Sequence, residues 1–216
     1  MPQSQARFLV FEGLDGSGKS TLIQGLNLEL KRSNLNTRLT REPGGTPLAE
    51  DIRRLLLRTD GEVPHPSTEL LLYSASRAQH VAEVIQPSLK SGAWVLCDRF
   101  SASTVSFQSF ARKVPRANVD WLNRFAEQGT APDLYVLVDV TVDECERRQA
   151  LRTNQSGQAA DRMERENRNF HEAVREGYLA QAKEEPERWL KLDGTLSPGD
   201  LVDRVLQELK RRQWLA

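Results

Sequence analysis

Cysteine is nearly absent. Of 216 residues only Cys97, inside an apolar run, and Cys145, in a charged stretch, carry thiols. That excludes a disulfide framework and a multi-cysteine metal site, and it fits a reducing, cytoplasmic setting. Histidine is equally thin: His65, His80 and His171 stand apart, without metal-ligand spacing, so no zinc site is expected. An excess of charge is missing as well, since 30 Lys+Arg balance 30 Asp+Glu and the formal net charge at pH 7 is zero with histidines neutral. Lacking a diffuse positive field, the chain is not expected to partner nucleic acid or an anionic membrane, and any anion site must be built locally. No apolar run approaches the ~20 residues of a membrane span. The opening Met1-Pro2-Gln3-Ser4-Gln5 has neither the basic start nor the apolar core of a secretory signal and reads as a short tail. No repeat or Pro/Ser-rich linker divides the sequence, so residues 1–216 are expected to form a single domain.

What is present is alternation. Short apolar runs bounded by turn signals (Phe8–Phe11, Thr37–Thr40, Trp94–Cys97, Leu134–Val138 and Trp189–Leu192) read as five strands. Helix-period segments lie between them, at roughly 19–32, 47–58, 66–90, 117–128, 142–151, 162–183 and 198–212. Strands alternating with helices predict an α/β fold, a five-stranded parallel sheet flanked by helices. Residues 152–160 are polar and without period, and read as a mobile loop between two charged helices.

Directly after the first strand stands Gly13-Leu14-Asp15-Gly16-Ser17-Gly18-Lys19-Ser20, which satisfies G-x-x-x-x-G-K-[ST] in the strand-loop-helix context the motif requires. Glycines let backbone amides turn around phosphate oxygens, and the following helix offers its positive end. Lys19 adds a point charge, and the Ser20 hydroxyl suits Mg²⁺. A nucleoside triphosphate is therefore expected on Gly13, Asp15, Gly16, Ser17, Gly18, Lys19, Ser20 and Thr21. Asp98 ends the third strand, where its carboxylate would face this loop and hold the metal with Ser20. Asp98-Arg99 is also compatible with a simple ion pair tying strand to helix.

Three further segments complete a pattern: Arg41-Glu42-Pro43-Gly44-Gly45-Thr46 after the second strand, Tyr73-Ser74-Ala75-Ser76-Arg77 on a helix, and Asp98-Arg99-Phe100. With the phosphate loop they make the chain resemble the thymidylate (dTMP) kinases from Phe8 to about Leu209. The resemblance implies a P-loop nucleoside monophosphate kinase fold that passes the γ-phosphoryl group of ATP, with Mg²⁺, to dTMP in dTTP biosynthesis. It implies that Asp15 accepts a hydrogen bond from the deoxyribose 3′-hydroxyl, that Arg53 and Arg99 hold the acceptor phosphate, and that Thr104 and Gln108 line the base pocket. Arg41 would buttress Asp98. Tyr73 and Arg77, four apart, share a helical face, so a ring stacks on a base while a guanidinium donates to its edge. Without the resemblance the same pair reads as a core aromatic beside a surface arginine.

Kinases of this family carry a further arginine either in the phosphate loop or in a lid over ATP. Leu14-Asp15-Gly16-Ser17 has none, so the lid, about 148–163, should supply it: Arg148 and Arg152 on one helical face before the loop, and Arg162 after it, in the bacterial pattern. Lys19, Arg99, Arg148 and Arg152 are the expected catalytic cations. Homodimers are common in the family, and Leu70, Leu71, Leu72, Val81 and Val84 suit either such an interface or the core. The competing readings are a kinase for another nucleotide base and a P-loop switch with no second substrate.

Overall fold

The apolar runs close into one parallel sheet because each is followed by a helix that carries the chain back across it. In the computed structural model, residues 5–156 and 160–215 are described, with the side chains of 152–156 outside that description. The strands are β1 (Phe8–Glu12), β2 (Thr37–Arg41), β3 (Trp94–Asp98), β4 (Leu134–Asp139) and β5 (Trp189–Asp193), in the order β2-β3-β1-β4-β5. Central β1, β3 and β4 are buried almost throughout, on both faces, whereas edge strands β2 and β5 are part-exposed. This is why the central runs are unbroken apolar stretches and β2 is the weak one in sequence.

The helices are α1 (Lys19–Arg32), α2 (Pro47–Leu57), α3 (Pro66–His80), α4 (Gln86–Lys90), α5 (Ser101–Thr104), α6 (Arg116–Glu127), α7 (Val142–Ser156), α8 (Arg168–Glu184) and α9 (Pro198–Arg211). Several start where local chemistry tells them to. Thr46 accepts from Ala49 N with Pro47 in the first turn, and Ser197 accepts from Asp200 N with Pro198 behind it. Among the described residues no helix is long and apolar enough to cross a membrane.

Three expectations are corrected. The helix expected over 66–90 is interrupted by a π-helical turn at Val81–Ile85, and a second π-helical stretch, Val105–Ala111, continues α5 through a segment whose sequence predicts neither strand nor helix. The helix read from 162 begins at Arg168, because Asp161 accepts from Met163 N and Glu164 N and holds that stretch as a turn, while Asn167 caps the helix by accepting from Phe170 N. Helix α7 runs beyond 151 to Ser156, so part of the loop expected at 152–160 is helical; residues 157–159 lie outside the described residues.

Candidate active site

Adjacent strands β1 and β3 pair with Phe11 opposite Asp98. Hence the loop leaving β1 and the loop leaving β3 emerge side by side at the carboxyl edge of the sheet, where open α/β folds bind ligands. At Gly13 φ is 140°, and a Cβ there would lie 2.5 Å from the Val138 carbonyl oxygen, so only glycine fits. Gly18, at φ 101°, caps α1 without a side-chain bond, which leaves the first-turn amides of α1 open to an anion. Lys19 is buried, its Nζ donating to Gly13 O (3.0 Å) and Leu14 O (2.9 Å). Burial and the nearby Arg99 push its ammonium down, against the pull of Asp98, Asp15 and Glu12. Ser20 and Thr21 are exposed in the first turn. The Ser20 hydroxyl donates to Asp98 Oδ2 at 3.4 Å, while Asp98 Oδ1 is buried without a partner. A hydroxyl beside a half-unpaired carboxylate is the oxygen pair a hard divalent cation takes.

Arg99 links this loop to a second cleft. Its backbone holds φ 70°, rare for a non-glycine residue. Its Nη2 donates to Asp15 Oδ1 (2.9 Å) and its Nη1 to Tyr178 Oη (2.7 Å) and Ser103 Oγ (3.3 Å). Burial works upward on the Asp15 carboxyl, yet Arg99 and Lys19 hold it well below the usual carboxylate range. For the Arg99 guanidinium burial works downward, and Asp15, Tyr178, Asp98 and Glu12 together outweigh it, so its pKa is raised.

The cleft is lined by Asp15, Arg53, Tyr73, Arg77, Asp98, Arg99, Thr104 and Gln108, and by Arg41, Phe100, Phe107, Asp161 and Met163. All the expected base and acceptor residues are thus together. Arg53 comes from α2, and its Nη1 donates to Pro43 O (3.0 Å); burial and Arg41 push its guanidinium down. Thr104 is buried with its hydroxyl unpartnered. Arg77 differs from the surface arginine considered above: it is 2% exposed, with Nε on Glu42 Oε2 (2.8 Å), Nη1 on Asn123 Oδ1 (2.8 Å) and its carbon 5.1 Å from the Phe100 ring centroid. Among the described residues its Nη2 has no protein partner. Arg41 does not buttress Asp98 through its side chain, which pairs with Glu50 (2.9 Å). The link between these strands is the backbone, Glu42 N donating to Asp98 O (2.9 Å).

The lid arginines part company. Arg148 reaches the phosphate loop, Nη1 donating to Ser17 O (3.2 Å), Nη2 to Gly194 O (2.9 Å) and Nε to Glu144 (2.7 Å). The Arg152 side chain lies outside the described residues. Arg162 turns inward instead of toward the loop, its Nε on Leu56 O and its Nη2 on Glu69 Oε2, both at 2.7 Å.

Four polar residues around this site went unread in the sequence. Glu12, buried at the end of β1, accepts from Phe100 N (2.9 Å), Ser103 N (3.3 Å) and Ser103 Oγ (2.7 Å). Ser103 and Tyr178 share the Arg99 Nη1 donor, and Glu69 gathers Gln108, Arg112 and Arg162. The signals were faint: an acid closing an apolar strand, and an acid one turn before Tyr73.

Comparison with known proteins agrees with this geometry. The thymidylate kinase family model matches residues 11–205. A thymidylate kinase of Bdellovibrio bacteriovorus is 49% identical over 209 residues, covering 97% of this chain and 98% of that protein. One of Geobacter sulfurreducens is 46% identical over 210 residues, covering 95% and 99%. The crystal structure of a thymidylate kinase from Ehrlichia chaffeensis superposes with a TM-score of 0.75 at 30% identity, over 94% of this chain and 98% of that one. With a phosphate loop, a cleft joined to it through Arg99 and Asp15, and relatives matching over nearly the whole length, the chain belongs to the thymidylate kinase family.

Proposed function

We propose that this protein transfers the γ-phosphoryl group of ATP to the 5′-phosphate of dTMP, yielding ADP and dTDP for dTTP synthesis. The observation that carries the reading is the second cleft sharing Asp15 and Arg99 with the phosphate loop. A switch that holds one nucleotide has no use for it. The triphosphate lies along Gly13–Ser20, on the amides of the loop and the first turn of α1, with Lys19 following its outer phosphates. Asp98 and Ser20 fit Mg²⁺, which when bound neutralises charge on the β- and γ-phosphates. Thymine stacks on Tyr73 with Arg77, Thr104 and Gln108 at its edge, Asp15 takes the 3′-hydroxyl, and Arg53 and Arg99 take the acceptor phosphate. The lowered Arg53 supports this last role, since burial and then Arg41 disfavour its charge and an arriving dianion offsets both.

The chemistry needs no protein base. An acceptor phosphate oxygen, already anionic at neutral pH, forms the new bond to the γ-phosphorus as the bond to the β-γ bridging oxygen breaks and ADP departs. The protein's part is alignment and neutralisation of charge on the transferring group. Arg148, already against the loop, and Arg152 act as lid cations, and closure of the lid keeps water from competing. Two free, buried thiols support a reducing, cytoplasmic setting. A homodimer is supported by Leu71 on α3 and the stacked pair Trp121 and Phe125 on α6, all exposed although α3 and α6 pack together.

The test is a coupled ADP-release assay with ATP and Mg²⁺, with and without dTMP, against dCMP, dGMP and UMP. Turnover that needs dTMP and prefers it is expected; faster turnover of another monophosphate overturns the thymine assignment, and equal ATP hydrolysis without any acceptor overturns transfer. Lys19→Ala should lower kcat/KM by about 100- to 1,000-fold.

A further inference from the structure

Glu69 takes no part in the reaction above, yet it is fully buried beside the base cleft. It stands one turn before Tyr73 and two before Arg77 on α3, and Thr104, Gln108 and Arg112 repeat the same four-residue spacing across the cleft. Its Oε1 accepts from Gln108 Nε2 (2.9 Å) and Arg112 Nε (3.2 Å), and its Oε2 from Arg162 Nη2 (2.7 Å) and Arg112 Nη2 (3.4 Å). Arg112 is held in turn by Glu166 (2.5 Å) and lies 4.5 Å from the Phe170 ring centroid.

A carboxylate flanked by two guanidiniums has no proton to give and only accepts. The Gln108 amide has two ends of opposite character, and the end facing Glu69 must be its NH₂, since the amide oxygen turned there would meet another acceptor. The Gln108 oxygen is thereby left without a protein donor among the described residues, on a side chain that lines the cleft.

We propose that Glu69 is a positioning residue that sets the hydrogen-bonding sense of the base cleft, fixing the Gln108 amide with its acceptor turned toward the substrate. This rests on the dTMP reading. Thymine carries an N–H between two carbonyls on its pairing edge, and that donor suits an acceptor. Cytosine has a bare ring nitrogen at the same place, which would face the Gln108 oxygen lone pair to lone pair. A buried mismatch of this kind is a strong means of rejection. The two arginines keep the acceptor acceptor-only, and because Arg162 belongs to the segment returning from the lid, the stretch carrying Asp161 and Met163 along the cleft is pinned by the same carboxylate.

The experiment compares kcat/KM for dTMP and dCMP in the wild type and in Glu69→Gln, whose amide can donate as well as accept and so frees Gln108 to turn over. The preference for dTMP should fall at least about 10-fold, chiefly through KM for dTMP. In a Gln108→Leu background the same Glu69 change should leave the preference where it is. If Glu69→Gln does not fold, Glu69→Asp, which keeps the charge but ends one methylene short of Gln108, is read for the same drop. An unchanged preference overturns the proposal, even where thermal stability and the rates on both substrates fall together, as a purely structural residue would have it. A wild type inert toward dTMP overturns the functional reading and this proposal with it; an active wild type whose variant keeps its preference overturns this proposal alone.

Discussion

Glu12 shows how much of the site hangs on a buried acid that touches neither nucleotide in the proposed reaction. By accepting from Phe100 N and from Ser103 it holds the chain on which Arg99 sits at φ 70°. Burial raises its pKa, against the lowering pull of Arg99. A carboxyl whose folded value lies above its unfolded one stabilises the fold fully at low pH, and that contribution is lost as pH rises through the raised value. Glu12→Gln keeps the shape without the charge. Its melting temperature relative to wild type should therefore climb as pH rises above the ordinary carboxylate range; thermal melts of both proteins from acid to neutral pH check it, and a flat difference contradicts it. Sequence legibility divides at this scale. The phosphate loop is legible because its residues are neighbours in the chain. Glu12 and Glu69 are opaque because their partners Phe100 and Gln108 are 88 and 39 residues away.

Elements were legible where periodicity was strong and local caps were present, as in α2 and α9. They were misjudged where side chains overrode the pattern, as at Asp161 and Asn167 before α8. Helix α8 matters to the site because it comes unusually near the 105–111 stretch: a Cβ on Gly177 would lie 2.9 Å from Ser106 Cα. That approach brings the next residue, Tyr178, within 2.8 Å of Ser103 Oγ and 2.7 Å of Arg99 Nη1. Tyr178→Phe keeps the ring and deletes the acceptor. Leaving a buried cation short of one partner should lower kcat/KM for dTMP about 10-fold with little change in circular dichroism. Full activity in that variant would show that Tyr178 only fills space.

At the scale of the whole molecule, all five expected strands formed, and their order could not be read from the strands alone. Surface identity was opaque too. Of the apolar positions that suited either core or interface, Leu70, Val81 and Val84 are buried, while Leu71 is 56% exposed. The largest outward-facing apolar pair, Trp121 (58%) and Phe125 (69%), belongs to α6. Light scattering should give about twice the 24.5 kDa chain mass for the wild type, and the chain mass alone for Trp121→Glu/Phe125→Glu. A variant that still runs at the doubled mass would remove this face from the interface.

The strand order has a metric consequence. Glu42, Asp98 and Gly13 follow or end β2, β3 and β1, three neighbours in the sheet, so base-cleft support, metal ligand and phosphate loop are laid out at the inter-strand pitch of about 4.8 Å, roughly 10 Å from first to last. The backbone ladder thus serves as a ruler whose gradations are amide hydrogen bonds. Because no side chain writes that scale, exchanges within the cleft can change which molecule is gripped while the gap between giver and receiver of the phosphoryl group stays as the sheet drew it.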